Sequence, residues 1–123
     1  NVRYIGLVPR NYLDEIYQNV DCITSSSRQD CMPTFVSEGL MYGRTAICSE
    51  NTGTAPVLQK EQAGFTYGNN DPAALAAAIT AYVSLSDEER ENYGKRARAC
   101  FENNFSMDVF RDNLLKTMEE IMA

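Results

Sequence analysis

The chain has 123 residues, of which 44% are hydrophobic and 23% charged, and its formal net charge is −6. This length fits a single domain over residues 1–123, able to bury about two thirds of its unfolded surface without disulfide or metal staples. The acidic balance, with no basic stripe, argues against a nucleic-acid surface, which needs clustered Lys and Arg to neutralise phosphates.

In chain order, Val2 to Gly6 reads as a short apolar strand. It is followed by a helix over Tyr12 to Gln18, capped by Asn11 with Asp14 three positions on and given apolar contacts by Tyr12, Leu13, Ile16 and Tyr17. Val20 to Thr24 reads as a second strand and Thr45 to Cys48 as a third, with a helix over Thr34 to Tyr42 between them. Strands alternating with helices predict an α/β fold, a parallel sheet with right-handed crossovers. A brief helix at Ala55 to Gln59 and an edge strand at Gly64 to Gly68 follow.

Asp71 with Pro72 opens the next helix, whose Leu75, Ile79, Tyr82 and Val83 share a face. Ser86 and Glu89 form a capping box before a helix that buries Tyr93, Ala97, Cys100 and Phe101, and its acidic start, Asp87 to Glu91, reads as solvated. Ser106 caps the last helix, where Phe110, Leu114, Leu115, Met118, Ile121 and Met122 fall at helical spacing and are expected to be core, with contact to a missing lobe as the second reading.

The segment from Ser25 to Gly43 carries the chemistry. Pro33 suits the first turn of a helix and Gly43 its left-handed end, with Phe35, Val36, Gly39 and Leu40 on the core side and Thr34 and Glu38 away from it. Free N–H groups and the positive dipole end at Thr34 to Ser37 favour a phosphate. The carboxylates of Asp30 and Glu38 would repel that phosphate and are better matched to hydroxyls. A ligand with both features is a nucleotide, a sugar phosphate or a nucleotide-sugar. Each acid also has a plainer reading, Glu38 as a helix-dipole charge and Asp30 as a turn residue bonded to its own backbone and paired with Arg28.

No histidine is present, so a Ser-His-Asp triad, a Cys-His pair and a zinc site are set aside. Cys22, Cys31, Cys48 and Cys100 show no CxxC spacing and read as reduced thiols of a cytoplasmic protein. No apolar run approaches the ~20 residues of a membrane span, and no secretory signal pattern opens the chain. The first residue is Asn1 rather than Met, and the chain is expected to be a piece of something longer.

Read in order, these segments resemble the C-terminal part of the sugar-donor lobe of glycosyltransferase family 4, enzymes of the GT-B architecture with two Rossmann-like lobes. The resemblance rests on Asp30 and Glu38 with seven residues between them, on Pro33, Gly43 and Gly53, and on Val2 to Gly6 followed by Val8-Pro9. Leu13 to Asp21, Ala63-Gly64-Phe65 before Asp71 to Leu75, and Phe105-Ser106 also match. It implies a partial Rossmann-like parallel sheet flanked by helices.

It also implies a retaining transfer of sugar from a nucleotide-sugar to a hydroxyl of a glycan, lipid or small-molecule acceptor, with no metal or other cofactor. Polysaccharide biosynthesis in the cytoplasm, with the full-length protein peripheral at the inner membrane face, goes with that reading. Glu38 would hold the ribose hydroxyls. Asp30 and the backbone of Cys31, Met32, Pro33, Thr34 and Phe35 would hold the sugar and diphosphate, and Val8, Pro9, Arg10 and Leu13 would flank the base. Asp30 stands where Glu is usual, shortening its reach by roughly 1.5 Å. The basic pair on the diphosphate, the glycine-rich loop and the acceptor lobe would lie outside this chain, which alone should be inactive. Open alternatives are a nucleotide-sugar epimerase of the same architecture and a non-catalytic nucleotide-binding module.

Overall fold

The computed structural model describes residues 2–123, and its regular elements are three strands and six helices. Helix α1 is Arg10–Asn19, β1 Cys22–Ser25, α2 Thr34–Met41, β2 Thr45–Ser49, α3 Ala55–Glu61 and β3 Gly64–Tyr67; α4 Pro72–Val83, α5 Asp87–Asn104 and α6 Met107–Met122 close the chain. The strands form a parallel sheet in the order β1-β2-β3, with Cys22 opposite Thr45 and Ala46 opposite Gly64. This is the parallel α/β architecture expected, with β3 at the edge.

Every residue of β2 is buried, as befits a central strand covered on both faces. One face packs Ile23, Ala46 and Cys48 against Val36 and Leu40 of α2, Leu58 of α3, and Ala97 and Cys100 of α5. The other packs Ile47 and Tyr67 against Ala78 and Tyr82 of α4. Gly39 lets α2 lie close to the sheet, for a Cβ there would sit 2.2 Å from the Ile23 side chain. Gly43 ends α2 at a φ of +70°, the left-handed turn expected of it.

The side-chain caps of Asp71, Ser86 and Ser106 form as the sequence predicts, Asp71 accepting from the Ala74 N–H at 2.9 Å. Several expectations are corrected. Residues Val2 to Gly6 form no strand: a strand is held by its ladder, none of the described residues pairs with them, and Gly6 turns the backbone to a φ of +73°. Helix α1 begins at Arg10, so Asn11 lies inside its first turn, and Pro9 occupies the cap position without a side-chain bond. Helix α2 begins at Thr34 as expected, with Pro33 at the cap position just before it.

On α2, Phe35 faces outward, the buried arc being Val36, Gly39 and Leu40 alone. Helix α4 is apolar nearly all round, so its pattern does not choose a face; the sheet takes Ala78 and Tyr82 and leaves Ile79 and Val83 exposed. Helix α6 buries none of its residues. Its expected core stripe, Phe110 to Met122, is uncovered because α6 runs on past the sheet and packs mainly on α5. No helix among the described residues is long and apolar enough to cross a membrane.

Candidate functional site

All three parallel strands end on the same side, at Ser25, Ser49 and Tyr67, and the loops that leave them gather there. In open α/β sheets this carboxyl edge is where ligands bind. The β1–α2 loop carries Asp30. Its backbone N–H donates to the Asn51 carbonyl at 3.4 Å and its carbonyl accepts from the Gly53 N–H at 2.9 Å, forming a short parallel bridge to the β2–α3 loop. Gly53 is required by that contact: a Cβ there would lie 1.6 Å from the Cys31 carbonyl oxygen.

The Asp30 carboxylate accepts from the Met32 N–H at 3.0 Å, the turn-forming role weighed for it from sequence. The expected pairing with Arg28 does not form; Asp30 turns instead into its own loop and Arg28 lines a separate cavity. Of the backbone groups expected at the diphosphate, Pro33 has no N–H and that of Met32 serves Asp30. The N–H of Val36 bonds back to the Pro33 carbonyl at 3.0 Å. The N–H groups of Thr34 and Phe35 have no acceptor among the described residues and stand at the positive end of α2. Cys31, Met32, Thr34 and Phe35 are all exposed here, while Pro33 is buried.

Glu38 is held by α1. Its Oε1 accepts from Arg10 at 2.6 Å and its Oε2 from the Tyr17 hydroxyl at 2.8 Å. The Glu38 side chain is only 16% exposed against 81% for Arg10, so the carboxylate is largely enclosed and its cation reaches it from the solvent side. Tyr17 is fixed in turn. Its ring stacks on Tyr42 at 5.5 Å, the Tyr42 hydroxyl donates to Asp14 at 2.8 Å, and Arg44 grips the Tyr17 carbonyl at 2.6 Å. Burial, and then the bond to Glu38, push the Tyr17 hydroxyl above its ordinary pKa, so it stays a donor to that carboxylate.

Among residues expected at the base, Arg10 thus reaches the site, Val8 and Pro9 lie in the irregular segment just before α1, and Leu13 packs against the core. Tyr17 was missed, being read only as an apolar contact. Arg10, Leu13 and Tyr17 lie at i, i+3 and i+7 and so share one helix face, a spacing that points Tyr17 the same way as Arg10.

A sheet of this topology, with a helix N-terminus and a fixed carboxylate at its carboxyl edge, agrees with a comparison of the sequence against known families. The description "Glycosyl transferases group 1" matches residues 1–99. The chain belongs to that family. A protein of Escherichia coli (strain K12), provisionally named colanic acid biosynthesis glycosyltransferase WcaL, is 23% identical over 90 residues, 73% of this chain and 22% of its own length. Sucrose-phosphate synthase from Thermosynechococcus elongatus superimposes with a TM-score of 0.80 at 20% identity, over 99% of this chain and 31% of that one. The likeness establishes the fold, a fragment of a GT-B Rossmann-like lobe. The chain therefore spans about a fifth of the curated relative's length and under a third of the structural one.

Proposed function

We propose that this group 1 glycosyl transferase chain is the C-terminal part of a donor-binding lobe, in a protein that moves a sugar from a nucleotide-sugar to an acceptor hydroxyl with retention of configuration. The observation that carries the reading is Glu38, a carboxylate held by Tyr17 one turn from an open helix N-terminus, with the exposed Arg10 covering it. Glu38 would accept from the ribose hydroxyls once Arg10 swings aside. The Thr34 and Phe35 N–H groups would bond the diphosphate, and Asp30 the transferred sugar.

The chemistry asked of such a lobe is to stabilise a departing diphosphate, so donors aimed at charge that grows in the transition state accelerate the step. The acceptor hydroxyl arrives on the face the diphosphate leaves, and no protein nucleophile is needed. The nucleotide-sugar is substrate, and the reading assigns neither metal nor other cofactor. The acceptor, a glycan, lipid or small molecule, would meet a second lobe outside this chain. The name of the E. coli relative supports polysaccharide biosynthesis. The four free thiols suit a cytoplasmic site, at the inner face of the membrane if the acceptor is a lipid.

The test is calorimetric titration of the full-length protein with UDP, GDP and ADP and their sugars, against Glu38→Gln. One nucleotide should bind, and the variant should weaken it by roughly tenfold or more through loss of charge-assisted bonds. Equal affinity in the two proteins would remove Glu38 from the site.

A further inference from the structure

The ten other basic side chains can be set against Arg28. Arg10, Lys60, Arg90, Lys95, Arg98, Arg111 and Lys116 sit within 4.0 Å of a carboxylate. Arg44 and Arg96 donate to backbone carbonyls. Arg3 lies in the exposed segment before α1. Arg28 alone lines a cavity with no acceptor among the described residues. A larger cleft of about 620 Å³ opens at the amino ends of the strands, but its Arg44, Arg90 and Lys95 are already engaged.

The Arg28 cavity measures about 320 Å³, at the small end of the roughly 300–1,000 Å³ of small-molecule sites, and suits one compact ring. It lies at the carboxyl edge of the sheet, between the loop that carries Asp30 and the β3–α4 loop. Ser26, Asn69, Asn70 and Asp71 face it with Arg28, and Tyr67 forms part of its wall. Tyr67 is fixed by its bond to the Ser25 carbonyl at 3.2 Å. Asn69 is anchored twice, its Oδ1 accepting from Ser49 at 3.3 Å and its N–H donating to Glu50 at 3.2 Å, which leaves its amide N–H2 group for a ligand. Asp71 uses Oδ1 on its own helix and keeps the other oxygen open. Asn70 is held at a φ of +56°.

One unpaired guanidinium, side-chain amides, a hydroxyl and a half-used carboxylate match a ring that offers several hydroxyls and one anionic group. A bare phosphate would leave Asp71 opposing it, and a neutral sugar would leave Arg28 unanswered. We propose that this cavity binds an acidic saccharide unit of the acceptor, its carboxylate or phosphate on Arg28 and its hydroxyls on Asn69, Asn70 and Asp71. Calling that saccharide the acceptor rests on the donor-lobe reading, since Arg28 and Asp30 share one loop. The saccharide site itself does not.

The experiment titrates the full-length protein with a uronate-terminated disaccharide, its neutral counterpart and that counterpart carrying a phosphate, with nucleotide affinity measured in parallel. Arg28→Met keeps the stem and removes the charge; Asn70→Gly keeps the left-handed backbone and removes the amide. An acidic disaccharide should bind better than the neutral one, Arg28→Met should weaken it roughly ten- to a hundredfold, and the neutral one should not change. Asn70→Gly should weaken both. Preference for uronate or for phosphate names the source of the anion. Equal binding of acidic and neutral compounds, no effect of Arg28→Met, or no saccharide binding overturns the proposal. Saccharide binding without nucleotide binding would overturn the donor-lobe reading and leave the Arg28 site standing.

Discussion

Substituting Gly53 by Ala tests whether the two loops at the carboxyl edge form one unit. The added Cβ would stand 1.6 Å from the Cys31 carbonyl oxygen and 2.8 Å from its carbon, both backbone atoms that cannot rotate away. Relief needs a movement of about 1.5–2 Å by the loop that carries Asp30, which would break the Gly53–Asp30 bond and the 3.4 Å Asp30–Asn51 bond. Overpacking of this kind costs about 1–3 kcal/mol and each of the two lost hydrogen bonds about 1 kcal/mol, so about 3–5 kcal/mol is expected. For a domain of this size that lowers Tm by roughly 12–20 °C.

The matched control is Gly68→Ala, where a Cβ meets nothing nearer than 4.0 Å, and there stability should hold or rise by about 0.5 kcal/mol. The assay is thermal unfolding of both variants beside nucleotide titration. The Gly53 variant should lose nucleotide affinity as well as stability. If it melts with the Gly68 variant and binds like the wild type, the loops are independent and the account of the site is wrong.

Two other outcomes follow from the same geometry. Tyr17→Phe keeps the stack on Tyr42 but removes the 2.8 Å bond to Glu38, and nucleotide affinity should fall about tenfold by calorimetry while the fold stays intact. Burial raises the Cys48 and Cys100 thiols from 9.0 to about 11. A raised folded-state value means that the native protein holds these protons more tightly than the unfolded chain. Their contribution is therefore complete below pH 9.0 and lost as pH climbs towards about 11. Denaturant unfolding at several pH values should show that decline, with a shallower slope in Cys48→Ala.

Much of the fold was legible where local chemistry decides it. Asp71, Ser86 and Ser106 cap helices because each has a backbone N–H three residues on to satisfy, whatever the rest of the chain does. The alternation of strands and helices likewise implied the parallel sheet. What was illegible depends on partners. Among the described residues, Val2 to Gly6 has strand composition but no strand beside it, and the α6 stripe has helical spacing but nothing over it. Phe35 and Val36 are neighbours of similar hydrophobicity, and it is Val36, on the same stripe as Gly39 and Leu40, that meets the sheet.

At the carboxyl edge, the sequence singled out Asp30, Glu38 and the helix start as candidates, and the fold places all three there. The sequence did not reveal that Tyr17 would bond Glu38, because a tyrosine in an apolar pattern looks like any other core aromatic. The Arg28–Asp30 pairing failed for a related reason: a carboxylate two residues from a free N–H has a partner closer than any side chain.

The far end of α2 is fastened more firmly than the end at the site. Arg98 of α5 donates to the Met41 carbonyl, and Gly43 and Gly94 approach so closely that a Cβ on Gly43 would lie 3.2 Å from the Gly94 carbonyl oxygen. A rod pinned at one end responds to a pull at the other by pivoting. Any adjustment of this helix to a ligand would be a swing that moves Thr34 and Phe35 farther than Glu38, so that the open N–H groups travel relative to the carboxylate.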